Sequence, residues 1–448
     1  MNKTEQFLNK INELFQKEIP GHVIERARLS LLDYIGVTLA GVTGLKDKLE
    51  TYLCNENLES GDISAIGLGC KLSMKDAVFL NGLNGHALDF DDGTNTGIIH
   101  LGSPVFSVLL PLAQRYDIST DKFLKAVVIG YETSFTIAVS IQPKHKEMGY
   151  HATGTCGVLG IALAVSYMLD YTSEQTKNAF AAACVSATGM LQVLDDGSEL
   201  KPYNVAKSAL LGLISTQIAR AGFVGNPDPL GSFRGYLKMM AGDNNLELKE
   251  PLMNGTYAIE KSYTKPYAAC RYCHPAIEAA IRMKERYGIL KEDVLSVQVS
   301  TYYWAVSKHD HTEIPSSASG KMSIPYSVAV GLIYGKAGLL EYDSCHVTDE
   351  EILKLTRKVC VHADDELTRL FPGVTTAIVV LETISGECYT ERVDHPKGEP
   401  ENPLTEEEFD ARFIELAVFG GKTQEDAAAI IRSVKTMDGS MKRLFDYL

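Results

Sequence analysis

Along the first 260 residues, apolar positions recur every three to four residues, the spacing of one helix face. In 19–41, "IPGHVIERARLSLLDYIGVTLAG", Val23, Leu29, Leu31, Leu32, Ile35 and Leu39 form a stripe that Gly41 is expected to close. Residues 73–90, "SMKDAVFLNGLNGHALDF", read as a second helix in which Gly82 and Gly85 mark close backbone packing. Further helices are expected at 104–115, 121–141, 155–169, 173–187, 203–222 and 233–241, with a turn at 226–232, "NPDPLGS".

After about residue 265 the pattern changes. "LSVQVSTYYW" (295–304) and "TTAIVVLETIS" (375–385) alternate and are β-branched, and "GECYTERV" (386–393) reads as the return arm of a hairpin. Helices at 275–287, 323–335 and 349–358 interleave with these strands, so this part reads as α+β. A Pro- and Gly-bearing stretch, "DHPKGEPENP", ends it. Helices then resume, with Thr405 and Glu408 spaced as a capping box and Thr423 opening the last helical run. The pattern predicts a mainly α protein: a large all-helical domain (1–265 plus 396–448) interrupted by a smaller α+β lid domain (266–395).

Composition narrows the function. Of 448 residues, 45% are hydrophobic and 22% charged, the balance of a globular chain. A net charge of −14 argues against nucleic acid or an anionic membrane as partner. The first 22 residues show no apolar signal core, so a cytoplasmic location and no membrane association are expected. Nine scattered cysteines suit a reducing compartment. "CRYCH" (270–274) has the form of a haem-attachment motif, but without export or a second ligand pair it reads as Cys270 and Cys273 packing around His274.

Four basic residues stand just ahead of expected helices: His100, His151, Lys201 and His274. The helix dipole disfavours a cation there by a few tenths to about 1 kcal/mol, so the repetition calls for a shared cause. Helix N-termini collect anions, and several converging on one place would hold a small di- or tricarboxylate. "HALDFDDGTNTGIIH" (86–100) supplies carboxylates. Asp89 is placed at the end of its helix with His86 one turn earlier, and a carboxylate beside an anionic ligand suits proton transfer. Three readings stand for this stretch: acid/base chemistry first, structural capping second, a metal cage third. His309 and His311 read as an exposed loop. Tyr326, a phenol on an apolar helix, reads as core unless it reaches a site. Motifs for nucleotides, flavins, zinc peptidases and serine hydrolases are absent.

"NGLNGHALDFDD…H", "GYHATGTCGVLG", "KPYNVAKSALLGL…AGFVG", "CRYCHPAIEAA", "SIPYSVAVGLIYG" and "HPKGEPENPLTEEEF" resemble, in order, the MmgE/PrpD family. The resemblance runs from about residue 5 to the C-terminal helix. It implies a homodimeric enzyme without metal or organic cofactor, of the kind that includes 2-methylcitrate dehydratase, cis-aconitate decarboxylase and iminodisuccinate epimerase. It further implies catalytic roles for Asp89, His100, His151 and His274, and substrate-binding roles for Thr94, Lys201 and Tyr326. The expected activity is that of a hydro-lyase resembling 2-methylcitrate dehydratase, acting by proton abstraction α to a carboxylate. Epimerisation of a dicarboxylate, decarboxylation of cis-aconitate and non-catalytic carboxylate binding are the alternatives. The chain departs from the family pattern at Gly93, at Leu101 and, after the lysine, at Asn204 and Ala206, where His and Gly are common.

Overall fold

The computed structural model describes residues 1–194 and 198–448. The chain divides into two compact units, Met1–Ser262 with Glu406–Leu448, and Tyr263–Thr405. The fold is mainly α.

In the first unit the helices Gly21–Gly44, Met74–Gly85, Gly102–Tyr116, Thr120–Ile141, Ala152–Met168 and Lys201–Arg220 pack on one another. Gly41 does not close its helix. It lies inside, where a Cβ would meet the Asn84 carbonyl oxygen at 2.0 Å, so its role is close approach. Gly82 plays the same part on the other side: a Cβ there would stand 2.9 Å from Ala206 Cα. These two contacts let Met74–Gly85 nest between Gly21–Gly44 and Lys201–Arg220. A short antiparallel pair, β1 (Ser60–Ala65) and β2 (Cys70–Leu72), interrupts a region where only helices were expected. Leu49, Ile63 and Leu80 pack with it in a small apolar cluster.

Residues 148–169 carry no Asp, Glu, Lys or Arg, yet the helix they form, Ala152–Met168, is buried almost throughout. Thr120–Ile141 is long and apolar enough to cross a membrane by length and composition, but 89% of its apolar window is buried inside the protein. Its Glu132 carboxylate accepts the backbone N–H groups of Leu252 and Ala258 at 2.7 and 2.8 Å, fastening a long connection onto the helix. In the C-terminal part, Arg412 on Glu406–Phe419 pairs with Asp33 and donates to the Phe90 carbonyl at 2.9 Å.

The second unit contains a four-stranded sheet in the order β4 (Val359–Ala363), β3 (Val294–Thr301), β5 (Ala377–Thr383), β6 (Cys388–Val393). β3 runs parallel to β4, with Val297 opposite Val359, and antiparallel to β5, with Val299 opposite Val379. Alternate residues of β5, from Ala377 to Thr383, are buried, and the helix His274–Tyr287 packs on β5 and β6. β4 is short and mostly exposed, so its sequence carries little strand periodicity. The 394–403 stretch belongs to this unit. Thr264 N–H donates to the Gly398 carbonyl, and Arg271 pairs with Glu399.

Candidate active site

Four segments of the first unit carry the candidate residues. The helix Met74–Gly85 ends earlier than the sequence pattern suggests: His86 caps it, and Asp89 sits beyond it with φ +51°. Aspartate tolerates this left-handed conformation better than most residues. The turn redirects Asp89, so His86 pairs with Asp91 instead, Nδ1 to Oδ1 at 2.7 Å. Asp91 also accepts the Ser103 hydroxyl at 2.8 Å. The next helix, expected from residue 104, begins at Gly102. Its first N–H is taken by Asp92 Oδ1 at 2.9 Å. With that N–H already taken, the helix end is not an open anion site.

Asp92 accepts the Tyr131 hydroxyl as well, at 2.8 Å. Burial, with Asp91 and Asp33 close by, pushes its carboxyl up to about 7. The three aspartates of the loop thus differ in role: Asp91 and Asp92 brace it, and Asp89 faces Lys201. Lys201 Nζ donates to Asp89 Oδ1 at 2.6 Å, with both side chains largely buried. Thr94, in the same loop, is buried, and its hydroxyl has no hydrogen-bond partner among the described residues.

His100 and His151 are held in opposite senses. His100 Nδ1 lies 2.7 Å from the Asp92 carbonyl oxygen, which can only accept, so Nδ1 carries the proton. Its Nε2 lies 3.9 Å from Asp89 Oδ1. Asp91 Oδ1, 3.5 Å from Nδ1, favours a developing positive charge on this ring. His151 caps Ala152–Met168, and its Nδ1 faces the Asn204 amide nitrogen at 3.3 Å. Burial holds its pKa well below the ordinary range, reinforced by the Lys201 ammonium and the rings of His86 and His100, while Asp89 acts the other way. These effects favour the neutral ring.

His86, Asp89, Asp91 and His100 offer ligand atoms all within 4.8 Å of one another, a set whose chemistry suits a divalent cation. Such an ion would face the Lys201 ammonium on Asp89 and would displace the His86–Asp91 hydrogen bond.

His274 and Tyr326 belong to the second unit. His274 opens its helix, its Nε2 donates to the Ala269 carbonyl at 3.1 Å, and its ring meets Tyr267 edge-on. Cys273 is buried beside it in sequence, whereas Cys270 is half-buried with its Sγ 3.5 Å from His309 Nε2, so His309 is not a purely solvated loop residue. The Tyr326 hydroxyl donates to the Glu341 carbonyl at 2.9 Å. Lys265, which the sequence reading did not single out, is fully buried in this unit. Its neighbours "TKPY" give no periodic signal that could have flagged it.

The MmgE/PrpD N-terminal domain family matches residues 5–249, and the MmgE/PrpD C-terminal domain family matches 267–436. The chain belongs to the MmgE/PrpD family. Among curated proteins it is 26% identical to the cis-aconitate decarboxylase-like protein oryM of Aspergillus oryzae, over 93% of this chain and 90% of that protein. It is also 26% identical to cis-aconitate decarboxylase of Aspergillus terreus, covering 99% of this chain and 94% of the relative. The human cis-aconitate decarboxylase is 22% identical over 97% and 92%.

Proposed function

We propose that this chain is a cofactor-independent lyase that makes and quenches negative charge at a carbon α to a carboxylate of a small di- or tricarboxylic acid. The observation that carries this reading is the pair of imidazoles that flank the Lys201–Asp89 ion pair, His100 held through Nδ1 by the Asp92 carbonyl and His151 with its Nδ1 facing the Asn204 amide nitrogen. His100 takes the α proton and the neighbouring Asp91 stabilises the imidazolium that results. Lys201 holds a substrate carboxylate and offsets the developing enediolate charge, and the buried Thr94 hydroxyl gives a further donor. His151 donates to the leaving group.

Because an acid and a base are both provided, the geometry favours loss of water from a hydroxy tricarboxylate resembling 2-methylcitrate. Decarboxylation of a cis-aconitate-like acid is a second reading, favoured by the names of the relatives; it needs the acid but not the base. Inversion at an α carbon would use the same two groups. His274, as a further catalytic group, and Tyr326, as a substrate contact, are proposed on the family resemblance alone.

A homodimer is proposed as the working form. Val185, Met190, Phe223, Val224 and Met239 are exposed and line a cavity of about 780 Å³, an apolar face that a second copy would cover. Sedimentation of the protein and of Phe223→Glu tests this: a wild-type monomer would overturn it.

The chemistry is tested with EDTA-treated protein in D₂O, incubated with 2-methylcitrate and with cis-aconitate and followed by NMR. Water loss from the first acid supports the dehydratase reading, and CO₂ release from the second supports the decarboxylase reading. Absence of turnover and of α-deuterium exchange with both refutes the proposal.

A further inference from the structure

The helix Lys201–Arg220 contributes more than its lysine. Asn204, one turn on from Lys201, is buried, and its amide is fixed at three points. Lys207 Nζ donates to its Oδ1 at 3.0 Å, and its Nδ2 donates to the Met190 carbonyl at 3.3 Å and faces His151 Nδ1 at 3.3 Å. Rotating the amide by half a turn would set its N–H₂ against the Lys207 ammonium and its oxygen against the Met190 carbonyl, opposing like with like at both contacts. The orientation is therefore dictated by its neighbours, and His151 is offered a donor rather than an acceptor.

We propose that Asn204 is a positioning residue that holds neutral His151 in the tautomer with its proton on Nε2, so that His151 works as a proton donor and not as a base. This rests on the lyase reading for its catalytic meaning but not for its structural content. An imidazole whose Nδ1 accepts a hydrogen bond keeps its one proton on the other nitrogen, and which nitrogen is protonated decides what the ring can do. Burial and the adjacent Lys201 keep the ring neutral, so the tautomer, not the charge, is the variable that residue 204 controls. Lys207 has a supporting part, since it orients the amide and is itself anchored on the Thr188 hydroxyl at 3.3 Å.

The test uses full-length protein labelled with ¹⁵N-histidine, with long-range ¹H–¹⁵N spectra recorded without ligand and the His151 signals assigned by their loss in His151→Gln. Wild type is expected to show a protonated Nε2 and an unprotonated Nδ1. Asn204→Asp keeps the shape but supplies an acceptor, so the two nitrogens should exchange their shifts. The kcat for whichever acid the wild type turns over should fall about 10²-fold, the scale of a lost general acid, with KM changed far less. Asn204→Leu removes the donor without supplying an acceptor and should leave a mixture of tautomers. Unchanged signals from the other histidines in each variant show that the fold is intact. An unprotonated Nε2 in the wild type, or the same pattern in Asn204→Asp, overturns the proposal. If the exchange occurs but wild type acts on neither 2-methylcitrate nor cis-aconitate, the tautomer assignment stands and the proposed activity falls.

Discussion

Asp92 makes stability depend on pH in a direction opposite to most carboxylates. It is almost fully buried, accepts from Gly102 N–H and the Tyr131 hydroxyl, and has Asp91 and Asp33 nearby. Burial and these charges raise its pKa from 3.8 to about 7. The folded protein therefore binds a proton that the unfolded chain gives up, and stability from this group is full below pH 4 and lost as pH rises through 7. The complete loss is roughly 4 kcal/mol at 1.36 kcal/mol per unit, and roughly 2.5 kcal/mol of it falls between pH 5 and pH 8. Asp92→Asn cannot ionise and keeps an acceptor for Gly102, while the Tyr131 hydroxyl can rotate to accept from the new amide. Urea unfolding of both proteins at pH 5 and pH 8 measures the difference. Wild type should lose about 2.5 kcal/mol more than the variant over that range. Equal losses would mean that Asp92 is ionised in the native state and that the site's charge balance is different from the one described.

Three other outcomes are expected. His100→Gln and His151→Gln should each lower turnover by about 10² to 10⁴, the range for a general acid or base, in a progress-curve assay by NMR; rates within threefold of wild type would remove both from the mechanism. Glu132→Ala strands the N–H groups of Leu252 and Ala258 and should cost about 2–4 kcal/mol in urea unfolding, whereas a cost under about 0.5 kcal/mol would show that this connection is fastened by other contacts. Gly82→Ala pushes a Cβ toward Ala206 Cα and should cost about 1–3 kcal/mol. It should also reduce turnover, because Lys201 rides on the displaced helix, and a fully active, equally stable variant would contradict the packing described.

The periodic helices could be read from the sequence because each has one buried face and a turn signal at its ends. Thr120–Ile141 and Ser173–Ser186 fall within a residue or two of the expected spans. Strands β1, β2 and β4 could not, being short and largely exposed, so alternation never develops. Within the site, the basic residues ahead of helices were visible by position alone, and His100, His151 and Lys201 do come together around Asp89. The division of labour among the aspartates was not visible. It depends on the left-handed turn at Asp89, and nothing in "DFDD" announces that one carboxylate will face a lysine while another caps a helix. Nor could the tautomers be read, since they are set by a main-chain oxygen of Asp92 and an amide 53 residues from His151.

Arg412 binds Asp33 and the Phe90 carbonyl, and its guanidinium lies 4.5 Å over the Phe90 ring. The loop that carries Asp89 and Asp92 is thus clamped by a residue made some three hundred positions later, after the whole of the second unit. On the ribosome the aspartates emerge early and must wait for Arg412 before their bracing is complete. A nascent chain cut short ahead of Arg412 would hold Asp89, His100, His151 and Lys201, yet lack the pin that fixes the loop.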